Sequence, residues 1–224
     1  MADDPEPGGA PAPDDVPLVD PALLDGSAGE ETVVGVLLAA GASSRFGEAN
    51  KLLAPVDGDP VVRHAARTLV ASGVDRTVAV VGHDRDRVAT ALDGLDLAVV
   101  DNPAHEAGLA TSVRTGVRAA DGADAAVFAL GDVPAVRPAS VDRLLAAYRA
   151  GAGDALAAAC DGRRGNPVLF DARHFDRLAA LSGDEGGRRV FRESDAAALV
   201  ETGDEGVLLD VDTPAALERV RDLL

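Results

Sequence analysis

Val33-Val-Gly-Val-Leu-Leu38-Ala-Ala-Gly41-Ala-Ser-Ser-Arg45-Phe-Gly47-Glu-Ala-Asn-Lys51 is the stretch on which the reading of the fold turns. An apolar run rich in β-branched residues, Val33–Leu38, passes directly into a loop of Ala, Gly and Ser. Small residues let the backbone approach a ligand closely. Successive N–H groups in such a loop form a nest for anions. Arg45 and Lys51 add two cations to it. The combination predicts a triphosphate cradle at the carboxyl end of a first strand. It is not a Walker A loop, because Gly47 is followed by Glu48 and no Gly-Lys-Ser/Thr occurs. Nor is it the dinucleotide fingerprint, since no Gly-x-Gly-x-x-Gly follows the strand.

Working outward, the pattern alternates. Further short runs of strand character are Thr77–Val81, Leu97–Val100, Ala125–Leu130 and Ala155–Ala159, with weaker ones at Val168–Phe170, Ala198–Val200 and Val207–Leu209. Helical periodicity fills the gaps at Pro60–Ser72, Arg85–Leu92, Thr111–Ala120, Pro138–Ala150 and Pro214–Leu224. Pro60, Pro138 and Pro214 each stand where a first helical turn tolerates proline. Strands alternating with helices predict an α/β fold, a single-domain three-layer sandwich with a mostly parallel sheet and helices on both faces. Ligands of such sheets sit at the carboxyl ends of the strands, near the topological switch point.

Residues 32–224 carry this pattern, and residues 1–31 do not. Nine acids and no base fall among the first 31 residues, so this segment reads as a disordered acidic tail. The whole chain of 224 residues has 38 acids against 21 bases, a net charge of −17. That surface repels nucleic acid and anionic lipid. Lys51 is the only lysine, the remaining bases being arginine. Depleted lysine with surplus Asp, Glu and Ala resembles proteins of extreme halophiles, and a lone lysine in such a chain is not surface decoration. No apolar run reaches membrane-spanning length, and the N-terminus lacks the pattern of a secretory signal. Cys160 is the only cysteine, which excludes an internal disulfide and fits a reducing, cytoplasmic setting. His64, His83, His105 and His174 have no metal-ligand spacing, although His83 follows a strand and could reach the crevice.

Two acidic turns face the predicted cradle. Ala125–Leu130 ends in Gly131-Asp132-Val-Pro134, which points a carboxylate into the crevice. Mg²⁺ is usually held by one or two carboxylates plus substrate phosphates. Val207–Leu209 runs into Asp210-Val-Asp212-Thr-Pro214. Strand alternation would put Asp210 and Asp212 on one side, and Thr213 before Pro214 is an expected helix cap.

Leu38-Ala-Ala-Gly41-Ala-Ser-Ser-Arg45-Phe-Gly47, followed by Lys51, resembles the signature loop of the MobA-like nucleotidyltransferases, and is most similar to their molybdenum cofactor cytidylyltransferase branch. The resemblance extends over residues 33–224 and implies a nucleotide-diphospho-sugar transferase-like fold. It implies nucleotide contacts at Leu38, Ala39, Ala40, Gly41, Arg45, Lys51, Asn102 and Ser112. It makes Asp132 a metal ligand and gives the second acidic ligand to Asp212, with Asp210 as second choice. Gly165-Asn166-Pro167 resembles a block in which that branch typically has Gly-His-Pro; with Asn166 in place of His, a proton-transfer role there is in doubt. Ser182-Gly-Asp184-Glu-Gly-Gly187-Arg188 resembles an acceptor-binding block. Asn166, Asp184 and Arg188 are thus the expected acceptor contacts. The guanylyl branch typically has Gly where this chain has Ala40. An extra methyl beside the base would narrow the space for a purine, so CTP is expected over GTP.

The reaction implied is attack by an acceptor phosphate on the α-phosphorus of CTP, with Mg²⁺ on Asp132 and Asp212. Arg45, Lys51 and Asp132 are the catalytic residues. Molybdopterin is the acceptor implied by the resemblance, with a molybdenum enzyme or its chaperone as a protein partner. A guanylyl- or sugar-phosphate nucleotidyltransferase is the same-class alternative. A non-catalytic carrier of molybdopterin or nucleotide is the alternative of another class, and loss of the paired acids would favour it.

Overall fold

Side-chain alternation along the strands sorts the core into two apolar layers. The computed structural model describes residues 16–23, 29–41 and 50–224. Its strands are β1 Leu18–Val19, β2 Val33–Ala39, β3 Pro55–Val56, β4 Asp59–Pro60, β5 Arg76–Val81, β6 Ala98–Asp101, β7 Ala125–Leu130, β8 Ala155–Cys160, β9 Arg163–Asp171 and β10 Ala197–Glu201. Its helices are α1 Val61–Val70, α2 Arg85–Leu92, α3 Leu109–Ala119, α4 Pro138–Arg149, α5 Phe175–Ala179, α6 Arg188–Arg192 and α7 Pro214–Arg221. Eight strands form one sheet in the order β1-β10-β8-β9-β7-β2-β5-β6. All neighbours are parallel except β9, which runs antiparallel to both β7 and β8.

On one face Val33 and Leu37 of β2, Val127 of β7 and Leu156 of β8 meet Leu69 of α1, Val88 of α2 and Leu144 of α4. On the other, Val34, Val36, Phe128 and Ala157 meet Val113 of α3, Leu178 of α5 and Phe191 of α6. The three-layer sandwich expected from the sequence is thus present. Gly116 lets α3 lie close on the sheet, since a Cβ there would stand 2.6 Å from Val36 Cγ1. Among the described residues no helix is long and apolar enough to cross a membrane.

The strand order places the site. β5 and β6 extend the sheet from one side of β2, and β7 pairs with its other side. The direction of winding reverses at β2, so a crevice opens beyond the carboxyl ends of β2 and β7.

Two expectations are corrected. Val207–Leu209 is not a strand: Glu205–Leu208 is a 3-10 turn, opened by the Asp204 carboxylate accepting from Gly206 N at 3.0 Å. The apolar residues there pack as a turn against β8 and β9 rather than joining a ladder. The second correction concerns residues 1–31. Leu18 and Val19 pair in parallel with Leu199 and Val200 of β10, and Leu199 N donates to Pro17 O at 2.8 Å. Val16 packs on one core layer and Val19 on the other. This part of the acidic segment therefore completes the sheet edge. Residues 1–15 and 24–28 lie outside the described residues.

Candidate active site

The first strand of the sequence reading, β2, delivers Leu38, Ala39, Ala40 and Gly41 to the crevice. Arg45 lies outside the described residues, which resume at Asn50. Asn50 Oδ1 accepts from Leu52 N at 3.0 Å and caps the short 3-10 turn Lys51–Leu53. Its Nδ2 donates to Asp84 Oδ2 at 3.3 Å. Asn50 is 5% exposed and fixes where Lys51 begins. The sequence reading passed over it, although Asn directly before a short helical turn is a capping signal.

Lys51 is held between the two acidic turns. Its Nζ lies 2.5 Å from Asp132 Oδ2 and 2.5 Å from Asp212 Oδ1. Burial alone would lower the pKa of this ammonium, but Asp132 and then Asp212 outweigh it and hold the group above its ordinary value. Asp132 follows Gly131, whose N–H donates to Leu38 O at 2.9 Å, so its position is locked to β2. Val211 N donates to Asp132 O at 2.8 Å. That bond, with Val211 fully buried, draws the second turn against the first. Asp210 and Asp212 flank Val211 on this loop, and no strand alternation is involved. Burial raises the Asp210 pKa, with the Asp212 and Asp132 charges adding to it. Thr213 caps α7 as expected, its Oγ1 accepting from Ala216 N at 3.1 Å.

Two carboxylates already bound to a cation are a donor set that suits a hard divalent ion. Among the described residues no group of three or more His, Cys, Asp and Glu side chains forms a ready metal cluster. Among the described residues, Asp132 and Asp212 are a pair that could hold a divalent ion if substrate phosphate supplied further oxygens.

Other predicted contacts are placed differently. Asn102 is 2% exposed and Ser112 is 5% exposed. Asn102 Nδ2 donates to Thr111 Oγ1 at 2.9 Å and Ser112 Oγ at 3.0 Å, and its Oδ1 accepts from Ala104 N at 3.2 Å. Both side chains hold the loop from β6 into α3, which begins at Leu109 after Gly108. The Ala40 methyl is buried and faces Gly82, where an added Cβ would stand 2.9 Å away. His83 N donates to Ala40 O at 3.3 Å, bringing that histidine to the loop.

A cavity of about 160 Å³ lies on the α3 face of the sheet beside this centre. Leu38, Phe128 and Phe170 give it apolar walls, and Arg164, Asn166 and Arg188 give it polar ones. The structure thus brings Asn166 and Arg188 together, while Asp184 is exposed and does not line the cavity. Asn166 sits on β9, where the β8–β9 register shifts between Ala157 and Ala159. Irregular ladders of this kind re-aim side chains next to functional sites.

The family model of the MobA-like NTP transferase domain matches residues 35–199. Among curated relatives, "Nicotine blue oxidoreductase" of Paenarthrobacter nicotinovorans is 33% identical over 195 residues, covering 84% of this chain and 96% of the relative. "Probable molybdenum cofactor guanylyltransferase" of Natronomonas pharaonis is 32% identical over 218 residues, covering 88% of this chain and 99% of the relative. Among solved structures, a nucleotidyl transferase from Methanothermobacter thermautotroptrophicus superposes with a TM-score of 0.73 at 29% identity, covering 87% of this chain and 97% of that one. Rv0371C of Mycobacterium tuberculosis, solved in complex with manganese, gives 0.68 at 28% identity over 86% of this chain and 100% of that one. With its fold, its crevice and the match over residues 35–199, this chain belongs to the MobA-like NTP transferase family of nucleotidyltransferases.

Proposed function

We propose that the chain transfers CMP from CTP to the phosphate of molybdopterin, with release of pyrophosphate. The observation that carries the reading is Lys51, at the end of the phosphate loop, held at 2.5 Å by both Asp132 and Asp212. The crevice thus concentrates one cation and two carboxylates where a triphosphate would meet the sheet edge. A phosphate monoester is already anionic, so the acceptor needs no strong general base. Catalysis then consists of positioning and charge neutralisation. Bound to Asp132 and Asp212, Mg²⁺ would neutralise phosphate charge. Lys51, with Arg45, supplies donors to the β- and γ-phosphates and stabilises the departing pyrophosphate. The tie from Val211 to Asp132 keeps both acids in register with the loop. The manganese complex of Rv0371C supports a divalent ion in this family.

GTP is a second reading for the donor. The relative named as a guanylyltransferase favours it. The Ala40 methyl packs toward Gly82, so its size does not itself argue against a purine. The relative named as an oxidoreductase suggests hydride chemistry, but the loop after β2 lacks the glycine fingerprint of a dinucleotide site. A non-catalytic carrier would not need the paired acids, and both are in place.

The single lysine provides the test. An amine-directed reagent can label only Lys51 and the chain terminus. At a pH alkaline enough for Lys51 to label measurably without ligand, CTP with Mg²⁺ is expected to protect it. Equal labelling with and without nucleotide would contradict the assignment.

A further inference from the structure

Arginine is the commonest cation of this chain, and two arginines near the cavity meet acids. Arg177 Nη2 lies 2.7 Å from Glu193 Oε2, and Arg189 Nη1 lies 3.2 Å from Glu185 Oε1. Glu193 and Glu185 are thereby occupied. Arg164 is different. Its Nε is buried and has no hydrogen-bond partner among the described residues. Its guanidinium carbon stands 4.7 Å from the centre of the Phe191 ring, a stacking contact that fixes the plane of the group. Burial first, and then the like charges of Arg188 and Arg192, pull its pKa down to about 10, so it stays charged at neutral pH. No acid enters that balance. A protein with a surplus of 17 negative charges has thus placed two guanidinium groups, those of Arg164 and Arg188, on one cavity, with Arg192 near enough to add a third like charge at Arg164. Leaving a partly buried charge unpaired is costly. A planar guanidinium fixed on an aromatic ring suits a phosphate, whose oxygens it can take two at a time.

We propose that Arg164 is the anion-holding residue of this cavity, gripping a phosphate group of the substrate while Leu38, Phe128 and Phe170 pack against an apolar ring of the same molecule. Arg188 supports it from the cavity's rim. On the nucleotidyl-transfer reading above, on which this assignment of the ligand rests, that molecule is the acceptor rather than the nucleotide. Two features of the cavity argue for the acceptor. It is walled by Leu38 and Leu130, which precede the phosphate loop and Asp132, so its occupant lies next to the reacting centre. It is also lined by residues of β7 and β9, and neither Asn102 nor Ser112, the nucleotide contacts the resemblance implies, is among its lining residues.

Inorganic phosphate is the probe, exchanged for chloride at constant ionic strength, with the thermal midpoint of the full chain as readout. Phosphate should raise the midpoint of the unsubstituted protein and of Lys51→Ala to a similar extent. Arg164→Gln should weaken phosphate binding about tenfold, so most of that rise disappears. Arg164→Met, which keeps most of the packing of the stem, serves in its place if the glutamine variant is too unstable to read. A full phosphate response in the Arg164 variant, or its loss only in Lys51→Ala, would overturn the proposal. In turnover, Arg164→Gln should raise KM for the acceptor about tenfold and leave KM for the nucleotide unchanged. The phosphate experiment requires no turnover. A protein that binds phosphate through Arg164 but transfers no nucleotide would count against the proposed reaction and leave this site standing.

Discussion

Lys51 bridges the two acidic turns, and its identity as the only lysine is visible at once in the composition. Which groups it meets is not, because Asp132 and Asp212 lie 81 and 161 residues away in the chain. Lys51→Ala is expected to raise the nucleotide requirement by about 2–3 kcal/mol, roughly 30- to 150-fold, as loss of a charge-assisted phosphate contact would. Nucleotide titrations of the two proteins check this. The ion pair also has a pH signature. The pKa of Lys51 is raised in the fold, so its contribution is full below the ordinary lysine value of 10.5 and is lost as pH rises through the folded value. The stability gap between the unsubstituted protein and Lys51→Ala should therefore stay constant across neutral pH and close in strong alkali, as read by denaturant titration. Asp132→Asn should keep the fold and lower turnover by roughly two orders of magnitude or more. Asp212→Asn should do less damage, because its amide still offers an oxygen. Near-normal turnover by Asp132→Asn would remove that carboxylate from the reaction.

At the scale of elements, the long regular pieces were legible and the irregular ones were not. The helix expected at Arg85–Leu92 is α2, and Val33–Leu38 falls within β2. β9 was seen only at Val168–Phe170, because Arg164, Gly165 and Asn166 lack strand character and Pro167 cannot donate to a ladder. The Asp161-Gly162 turn before it, with φ of 52° and 70°, is nevertheless a hairpin signal that could have been read. Val207–Leu209 misled because Asp204 competes for the backbone and winds it into a turn. Lys51, Asp132 and Asp212 stood out in the sequence as candidates and the fold brings them together, whereas Arg164 had no signal beyond its chemistry, since its isolation depends on which acids its neighbours occupy. Two substitutions test the packing. Gly116→Ala should destabilise by about 1–3 kcal/mol, because its methyl meets Val36 and Phe128. Removing the chain through Val19 should cost about 1–2 kcal/mol, since β1 bonds to the edge of β10 and covers part of both core layers. Unchanged denaturation midpoints would contradict either statement.

For the whole molecule, the sheet order and the charge act together. The reversal of winding at β2 makes the crevice, and a net charge of −17 surrounds it. Unscreened, that charge opposes compaction, so melting temperature should rise as salt is added from about 0.01 to 1 M, over which the Debye length falls from about 30 to 3 Å. Against this background, Lys51 and Arg164 are where the proposed reading would draw negative ligands in. Pyrophosphate release is the most direct measure of nucleotidyl transfer. The protein should be supplied with each of the four ribonucleoside triphosphates in turn, with Mg²⁺, with and without molybdopterin, and compared with Asp132→Asn. The account predicts acceptor-dependent pyrophosphate release, greatest with CTP and nearly abolished in Asp132→Asn. Greater release with GTP would transfer the donor assignment to the guanylyl reading. No release with any triphosphate, or equal release by Asp132→Asn, would contradict the account.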